Sequence, residues 1–361
     1  MILGVLLPLG ESLTNMASSG QDVRFVNYYL NHYCQKFDQV YLFSYKNERY
    51  SRLPKNCILV TPRLLIHRYF YGLLLPFIKL KQYKRCDVFR CFHPSATVPA
   101  VIGKLLFKKK FIFNYNYDYL KWARLERKSY LIPCLFLQQW FAFKLCDGAF
   151  VADEKMEKYA KRFVGSEKIT LIRNGVDTSL FRFKKQRHKG KIILSVGRLE
   201  PQKNYSQLIK AVSGLKIKTR LIIVGHGNLR QKLIDMATQR HVDLKIIDMV
   251  PHDHLPQIYQ SADVYVQPSL MEAPVKTLLE AMSSGLPCVA TDVPGIRDVV
   301  QNGRDGLLAK LDVYDLKIKI EKLLSNRSLA NRLGTAARKK VIEKYNLNKF
   351  LELETEILKS I

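Results

Sequence analysis

Short apolar runs rich in β-branched and aromatic residues recur along the chain and alternate with longer amphipathic stretches. Near-continuous apolar strands separated by helical lengths of chain are typical of parallel sheets covered by helices on both faces. In the first half the predicted strands are Ile2–Leu7, Val40–Phe43, Cys57–Val60, Val88–Phe92, Phe111–Tyr115, Gly148–Val151 and Lys168–Ile172. In the second half they are Lys191–Val196, Thr219–Val224, Leu244–Ile247, Val264–Gln267 and Pro287–Ala290. Two such series predict an α/β chain with two Rossmann-like domains facing across a cleft.

The apolar pattern stops in the charged, aperiodic stretch 181–190, which indicates a domain boundary. A chain of 361 residues also suits two hydrophobic cores better than one. We predict an N-terminal Rossmann-like domain over 1–183 and a C-terminal one over 184–340. Residues 341–361 are predicted to form a C-terminal helix that can pack back on the N-terminal domain. Ligands of open α/β sheets bind beyond the carboxyl ends of the strands, so functional residues should directly follow strands.

Two motifs in the second half follow predicted strands and contain glycine. In S-V-G-R-L-E-P-Q-K-N, Ser195–Asn204, a tight turn is followed by Arg198 and Lys203. Two cations at a strand end suit a diphosphate, although an ordinary basic surface loop would have the same composition. V-G-H-G-N, Val224–Asn228, permits close approach of the backbone to a ligand or simply makes a tight turn.

A third motif, P-S-L-M-E-A-P-V-K-T-L-L-E-A-M, follows the strand Val264–Gln267 and is predicted to open a helix at 273–276. The amides that this helix would offer to an anion are those of Val275, Lys276 and Thr277. Glu272 and Glu280 are about two helical turns apart, so both can face the cleft. An ionised carboxylate suits the vicinal hydroxyls of a ribose, but either glutamate could equally be a solvated helix carboxylate.

Together and in this order, these motifs resemble the retaining glycosyltransferases of family 4, or glycosyl transferases group 1, which have the GT-B fold. The matching stretches are Arg173–Asp177, Gly197–Asn204, Val224–Gly227, Ala262–Ser269, Glu272-x7-Glu280, Glu280–Val300 and Asn302–Leu308. The first half matches only in outline. Two departures concern the donor, because Ala273-Pro274-Val275 replaces the usual Gly-Phe-Pro and Asp248 replaces a usual glycine.

The resemblance implies roles for individual residues. The catalytic residues would be His93, near the transferred sugar, and Glu272. The donor-binding residues would be Gly10, Arg198, Lys203, Gly225, Met249, Val250, Val275, Lys276, Thr277 and Glu280. The acceptor pocket would contain Asn116, Tyr117 and Asp118. From its apolar neighbours alone, His93 would more readily be interpreted as a buried, hydrogen-bonded histidine.

No D-x-D motif occurs in the sequence, so we predict no metal site and expect cations and a helix dipole to stabilise the leaving diphosphate. No cofactor is expected beyond the UDP- or GDP-sugar substrate. Retention of anomeric configuration, with the leaving phosphate accepting the acceptor's proton, is implied by the resemblance. Seven scattered cysteines without a C-x-x-C spacing argue against disulfides and structural zinc and favour a reducing cytoplasm.

The formal net charge is +28, and segment 51–130 alone contains 17 basic and 3 acidic residues. Such a field favours a polyanion or an anionic membrane face as partner, unless it is only a lysine-rich solvated surface. Segment 62–85 mixes aromatic residues, leucines and cations. It could lie in an anionic membrane interface and present a lipid-linked sugar, or it could be an amphipathic core helix with a basic face.

The sequence therefore predicts a retaining, metal-independent glycosyltransferase that moves a sugar from a UDP- or GDP-sugar to an acceptor hydroxyl. The acceptor is expected to be a lipid-linked or membrane-associated glycan in polysaccharide or glycolipid synthesis. The expected location is cytoplasmic, with peripheral association at the inner face of the cell membrane. Two alternatives are a nucleotide-sugar epimerase on the same fold and a nucleic-acid-binding protein. The latter lacks a recognition module, so no nucleic-acid partner is expected.

Overall fold

The computed structural model describes residues 1–18, 20–62, 67–116, 119–125, 128–183, 190–248, 250–272 and 275–361. The chain divides into two compact units. The first unit comprises Met1–Arg173 and Lys349–Ile361, and the second comprises Asn174–Asn348.

The second unit begins at Asn174, ahead of the boundary expected at residue 184. Two contacts show why these linker residues belong with it. Val176 pairs with Asn346 in an isolated parallel bridge, and the ring of Phe181 is fully buried in the core of the second unit. The charged stretch that suggested the boundary therefore comes after the chain has already entered the second unit.

The first unit is built on a seven-stranded parallel sheet in the order β3-β2-β1-β4-β5-β6-β7. Its strands are β1 (Ile2–Leu6), β2 (Gln39–Phe43), β3 (Cys57–Val60), β4 (Val88–Cys91), β5 (Lys110–Tyr115), β6 (Gly148–Val151) and β7 (Ile169–Leu171). Its helices, before the C-terminal segment, are α1 (Leu13–Ser18), α2 (Asp22–Arg24), α3 (Asn31–Lys36), α4 (Arg68–Ile78), α5 (Leu80–Arg85), α6 (Thr97–Phe107), α7 (Tyr119–Leu125), α8 (Ile132–Leu145) and α9 (Glu154–Ala160). A π-helical segment, Phe25–Leu30, connects α2 and α3.

The second unit is built on a six-stranded parallel sheet in the order β10-β9-β8-β11-β12-β13. Its strands are β8 (Lys191–Val196), β9 (Thr219–Val224), β10 (Asp243–Ile247), β11 (Val264–Gln267), β12 (Cys288–Thr291) and β13 (Leu307–Ala309). The helices from here to the end of the chain are α10 (Tyr205–Ser213), α11 (Arg230–Gln239), α12 (Leu255–Gln260), α13 (Lys276–Ser283), α14 (Val313–Ser325), α15 (Arg327–Lys344) and α16 (Leu347–Ser360).

The two parallel sheets expected from the sequence are confirmed, and each predicted strand is present with ends that differ by at most one residue. The prediction missed β13, which lies at the edge of the second sheet. This strand has only three residues, Leu307–Ala309, which is too short to give a recognisable apolar run.

Helix α16 packs on the first unit around a buried ion pair. Arg90 in β4 is 1% exposed, and its Nε donates to the carboxylate of Glu354 in α16. The Tyr33 hydroxyl donates to the same carboxylate oxygen. The two remaining guanidinium nitrogens donate to the Cys91 carbonyl oxygen at 2.8 Å and to Asn114 Oδ1 at 2.7 Å. Because a buried charge is tolerated only when it is paired and hydrogen-bonded, this network fixes α16 on the sheet.

Candidate functional site

The strand order of each sheet reverses once, and all the predicted motifs except Val224–Asn228, which comes after β9, follow the strands at these reversals. In the second sheet β8 and β11 are neighbours, and they lead into Gly197–Lys203 and Pro268–Glu272. In the first sheet β1 and β4 are neighbours, and they lead into the loop of Gly10 and into His93. Such a reversal opens a crevice at the carboxyl edge of a parallel sheet, which is where ligands of these folds bind.

In the second unit, the structure brings Lys203 and Glu272 together. Lys203 ends a 3₁₀ turn after β8, and its ammonium group forms an ion pair with Glu272 Oε1. The two side chains are only 15% and 5% exposed. Gln267 Nε2 and Ser269 Oγ donate to the same carboxylate oxygen at 2.6 and 2.7 Å. None of these three contacts, all made by described residues, uses Oε2 of Glu272.

Glu280 lies in α13 and is 4% exposed. The Tyr259 hydroxyl donates to its Oε2 at 3.0 Å, and His252 Nε2 lies 3.2 Å from its Oε1. Burial raises the pKa of Tyr259 well above its usual value, so this hydroxyl is a permanent donor. Each carboxylate oxygen accepts more than one hydrogen bond, so Glu280 can hold ribose hydroxyls as well. The alternative of a solvated helix carboxylate is excluded for Glu280 and for Glu272, because both are buried.

Helix α13 begins at Lys276, inside the predicted opening at 273–276, of which residues 273 and 274 lie outside the described residues. Val275 precedes the first turn, so the helical amides nearest the N-terminus are those of Lys276 and Thr277. Thr277 Oγ1 donates to Gln267 Oε1 at 3.3 Å, which joins the first turn of the helix to the end of β11. The dipole of the helix favours an anion at this position.

Arg198 differs from Lys203 in its surroundings. Its side chain is 64% exposed and forms an ion pair of 2.9 Å with Glu200. An exposed pair contributes ~0–1 kcal/mol, so Arg198 can exchange Glu200 for a phosphate at little cost. The predicted cation pair thus consists of one buried, fixed lysine and one exposed, adaptable arginine.

Gly225 connects two turns at strand ends. Its amide donates to the Ile247 carbonyl oxygen at 2.9 Å, and its φ of +152° is one that favours glycine. A Cβ here would overlap the Gly197 carbonyl oxygen, so only glycine permits this approach. Val250 is half-buried and packs against the core of the second unit. Met249, predicted to contact the base, lies outside the described residues.

In the first unit, His93 is mostly buried after β4. Its Nδ1 accepts from the Ser95 amide at 3.0 Å and lies 2.7 Å from Ser95 Oγ, which in turn accepts from the Leu9 amide at 3.1 Å. An amide can only donate, so the proton of the neutral ring is on Nε2. Burial lowers the pKa of His93 to about 4, so at neutral pH the ring is an uncharged donor and not a general base.

This histidine makes folding stability depend on pH. The folded-state pKa of about 4 lies below the unfolded value near 6.5, so the unfolded chain binds more protons between these values. The stabilisation is therefore complete above pH 6.5 and is lost as the pH falls toward 4, by up to ~3 kcal/mol. Urea unfolding of wild type and His93→Gln over this range should show a stability difference that changes with pH. Parallel pH profiles for the two proteins would contradict the assignment.

Gly10 lies in the loop after β1 with φ +83°, and the side chain of Arg68 lies against it. The first residue of α4 thus adds a cation beside the amide that was predicted to bind phosphate. Among the predicted acceptor residues, Asn116 is exposed just after β5, whereas Tyr117 and Asp118 lie outside the described residues.

In each unit the structure places further side chains beside the predicted residues, and these were not predicted from the sequence. These are Arg68 beside Gly10, Gln267 and Ser269 beside Glu272, and His252 and Tyr259 beside Glu280. One local feature of the sequence could have indicated some of these partners. Gln267 ends an otherwise apolar strand, and a buried amide needs partners for all its polar atoms.

Two family models match consecutive parts of the chain. The model described as Glycosyltransferase Family 4 matches residues 15–180, and the one described as Glycosyl transferases group 1 matches residues 177–340. The UDP-Gal:alpha-D-GlcNAc-diphosphoundecaprenol alpha-1,3-galactosyltransferase of Escherichia coli is 30% identical over 204 residues, which are 52% of this chain and 53% of that protein. The sulfoquinovosyl transferase of Arabidopsis thaliana is 32% identical over 196 residues, 50% of this chain and 38% of that protein. These matches cover about half the length of the relatives, or less.

Solved structures match over nearly the full chain. Anabaena HepE in complex with UDP has a TM-score of 0.76 at 16% identity, with 100% of both chains covered. Sucrose-phosphate synthase from Thermosynechococcus elongatus has a TM-score of 0.75 at 18% identity, covering 99% of this chain and 98% of that one. At this identity the likeness shows the fold, and the family models together extend from residue 15 to residue 340. The chain therefore belongs to the GT-B glycosyltransferases of family 4, glycosyl transferases group 1.

Proposed function

We propose that this chain is a retaining glycosyltransferase that moves a sugar from a UDP- or GDP-sugar to an acceptor hydroxyl. The main support for this function is the position of Lys203, Glu272 and Glu280 at the strand reversal of the second sheet. Similar proteins use such donors, because the galactosyltransferase of Escherichia coli takes UDP-Gal and a mannosyltransferase of Mycolicibacterium smegmatis depends on GDP-mannose. The second unit is the proposed donor-binding domain, and the first unit the proposed acceptor-binding domain.

The difficult step of sugar transfer is the development of negative charge on the leaving diphosphate. Lys203 has three N–H donors, so it can keep Glu272 and still donate to a phosphate oxygen. Arg198 can exchange Glu200 for the same diphosphate, and the amides of Lys276 and Thr277 add the helix dipole. These groups supply the electrostatic stabilisation that a metal ion provides in other enzymes, which supports a metal-independent reaction.

The roles of the remaining residues follow from the atoms that they offer. The Glu280 carboxylate is proposed to accept from the ribose hydroxyls, and Glu272 Oε2 from hydroxyls of the sugar. His93 Nε2 is proposed to donate to the transferred sugar, and the Gly10 amide with Arg68 to bind phosphate. In the transfer itself, the bond from the anomeric carbon to the phosphate oxygen breaks and the acceptor oxygen bonds to the same face. The acceptor's proton passes to the leaving phosphate, which retains the anomeric configuration.

The test is an incubation of the purified protein with UDP-, GDP- and ADP-sugars, with and without a lipid extract of glycan acceptors. A transferase releases nucleoside diphosphate in step with sugar incorporated into the acceptor, and NMR of the product shows the donor's anomeric configuration. Conversion of the donor sugar to its epimer without acceptor would instead establish an epimerase. The proposal would be refuted if the protein released no nucleoside diphosphate and converted no donor sugar with any of these donors.

We also propose that the acceptor is lipid-linked and that the first unit meets it at the cytoplasmic face of an anionic membrane. Helices α4, α6 and α8 pack side by side, and their outer faces expose large apolar side chains. These are Tyr69, Phe70, Leu73, Leu74, Phe77 and Ile78 on α4, Leu105 and Leu106 on α6, and Phe136, Leu137, Trp140 and Phe141 on α8. Exposed apolar patches of this extent mark interaction surfaces.

Positive charge accompanies this apolar face. Lys81, Lys84 and Arg85 are exposed on α5, directly after α4, and Lys108 and Lys144 are exposed at the ends of α6 and α8. Apolar rings with flanking cations suit the interface of an anionic bilayer. Within the part of the chain that the structure describes, no helix is long and apolar enough to cross a membrane. The galactosyltransferase of Escherichia coli, whose name gives alpha-D-GlcNAc-diphosphoundecaprenol as the acceptor, supports a lipid-linked acceptor.

Phe70→Asp is expected to weaken binding to vesicles of mixed anionic and zwitterionic lipid by at least about 30-fold, since it removes ~2 kcal/mol of apolar burial and adds a repelled charge. Tyr314→Asp in the second unit is the matched control, because Tyr314 is 68% exposed and Phe70 is 63% exposed. Co-sedimentation measures both variants. The membrane proposal would be refuted if the wild type bound no vesicles at any anionic lipid content, or if both variants lost vesicle binding equally.

A further inference from the structure

The carboxyl end of β11 carries a buried glutamine whose side chain is hydrogen-bonded on all sides. Gln267 Nε2 donates to Glu272 Oε1 at 2.6 Å and to Ser269 Oγ at 3.2 Å. Its Oε1 accepts from the Tyr265 hydroxyl at 2.5 Å and from Thr277 Oγ1 at 3.3 Å. The full capacity of the amide, two N–H donors and two acceptor lone pairs, is therefore used.

The partners fix which way the amide points. Tyr265 is fully buried, and burial raises the pKa of its hydroxyl well above the usual value, so it acts as a donor. A flipped amide would face this donor with its own N–H groups and would turn its carbonyl oxygen toward the Glu272 carboxylate. Both contacts would be repulsive in this buried site, so a single orientation is stable.

We propose that Gln267 is a positioning residue of the transfer reaction, holding Glu272 Oε1 against Lys203 so that Oε2 is directed to the donor sugar. Through Thr277, the same amide ties this carboxylate to the first turn of α13, where the phosphate is proposed to bind. One buried side chain thus fixes the Glu272 carboxylate, proposed to contact the sugar, relative to the first turn of α13, proposed to bind the phosphate. This inference rests on the proposed function.

Gln267→Glu tests the role, because the new carboxyl group has the shape of the amide but titrates. Two carboxyl groups as close as the 2.6 Å of the present contact cannot both ionise freely, and the pKa of one is raised. When protonated, the new carboxyl can donate to Glu272 as the amide does. When ionised, it repels Glu272 and displaces it. The variant should therefore work at low pH and fail as the pH rises.

The measurement is the rate of nucleoside diphosphate release from the donor that the wild type accepts, between pH 5.5 and 8.5. The ratio of wild-type to Gln267→Glu rates is expected to rise at least about tenfold across this range. The matched control is Gln257→Glu, since Gln257 is exposed on α12 and its variant should follow the wild-type profile. A ratio independent of pH in a folded Gln267→Glu protein would overturn the proposal.

Tyr265→Phe provides a second test if Gln267→Glu does not fold. It keeps the ring but removes the donor that orients the amide, so kcat should fall several-fold while KM for the donor changes little. Unchanged kcat would overturn the positioning role. Failure of the proposed function gives a different result, because the wild-type protein itself would then release no nucleoside diphosphate at any pH.

Discussion

Lys203→Met should destabilise the second unit by about 3–5 kcal/mol, because it leaves the buried Glu272 carboxylate without its cation. Donor binding should weaken about 10- to 100-fold in the same variant, which is the loss expected for one charge-assisted hydrogen bond of ~1.5–3 kcal/mol. Urea unfolding measures the first effect and calorimetric titration of the nucleoside diphosphate the second. The methionine keeps the approximate volume of the lysine stem, so packing changes contribute little.

Two further variants separate these effects. Lys203→Met combined with Glu272→Gln removes the unpaired charge, so most of the stability should return while donor binding stays weak. Arg198→Met should also weaken donor binding while leaving stability nearly unchanged, since its exposed pair with Glu200 contributes at most ~1 kcal/mol to folding. A Lys203→Met protein as stable as the wild type would show that the ion pair does not hold this site together.

Glu354→Ala should destabilise the first unit by about 3–5 kcal/mol and release α16 from the sheet. The substitution leaves the Arg90 guanidinium buried without its carboxylate and deprives the Tyr33 hydroxyl of its acceptor. Hydrogen exchange should show faster exchange of the α16 amides together with those of β4. Urea unfolding gives the accompanying loss of stability.

The matched control lies two residues away on the same helix. Glu352 pairs with Lys36 at 2.8 Å, but both side chains are more than one-third exposed. Glu352→Ala should therefore cost less than ~1 kcal/mol. Equal effects of the two alanine substitutions would mean that burial of the Arg90–Glu354 pair does not fix the C-terminal helix.

Much of the fold could be predicted from the sequence because strands buried on both faces are nearly continuous apolar runs. Val264–Gln267 and Gly148–Val151 have the predicted ends for this reason. The strand β13 has only three residues and lies at a sheet edge, so it has no such run. Helix α13 begins at Lys276, inside the predicted opening at 273–276.

Residues of the candidate site could be predicted where they directly follow a strand end. Their contacts could not be predicted, because the contacting residues come from distant parts of the chain. Glu272 and Lys203 were both singled out, but their pairing joins residues 69 positions apart. Arg90 lies in an apolar strand, and its carboxylate partner is 264 positions away. Only the folded arrangement of strands and helices brings such residues together, and composition or periodicity contains no information on which residues become partners.

Binding of a nucleoside diphosphate by the second unit at the β8/β11 reversal is tested most directly by calorimetric titration of the wild-type protein with UDP, GDP and ADP. One of the three should bind, and its affinity should fall at least about tenfold in Arg198→Met, which removes a charge-assisted contact while leaving the fold intact. Absence of binding by all three nucleotides, or equal affinity in Arg198→Met and wild type, would contradict the claim.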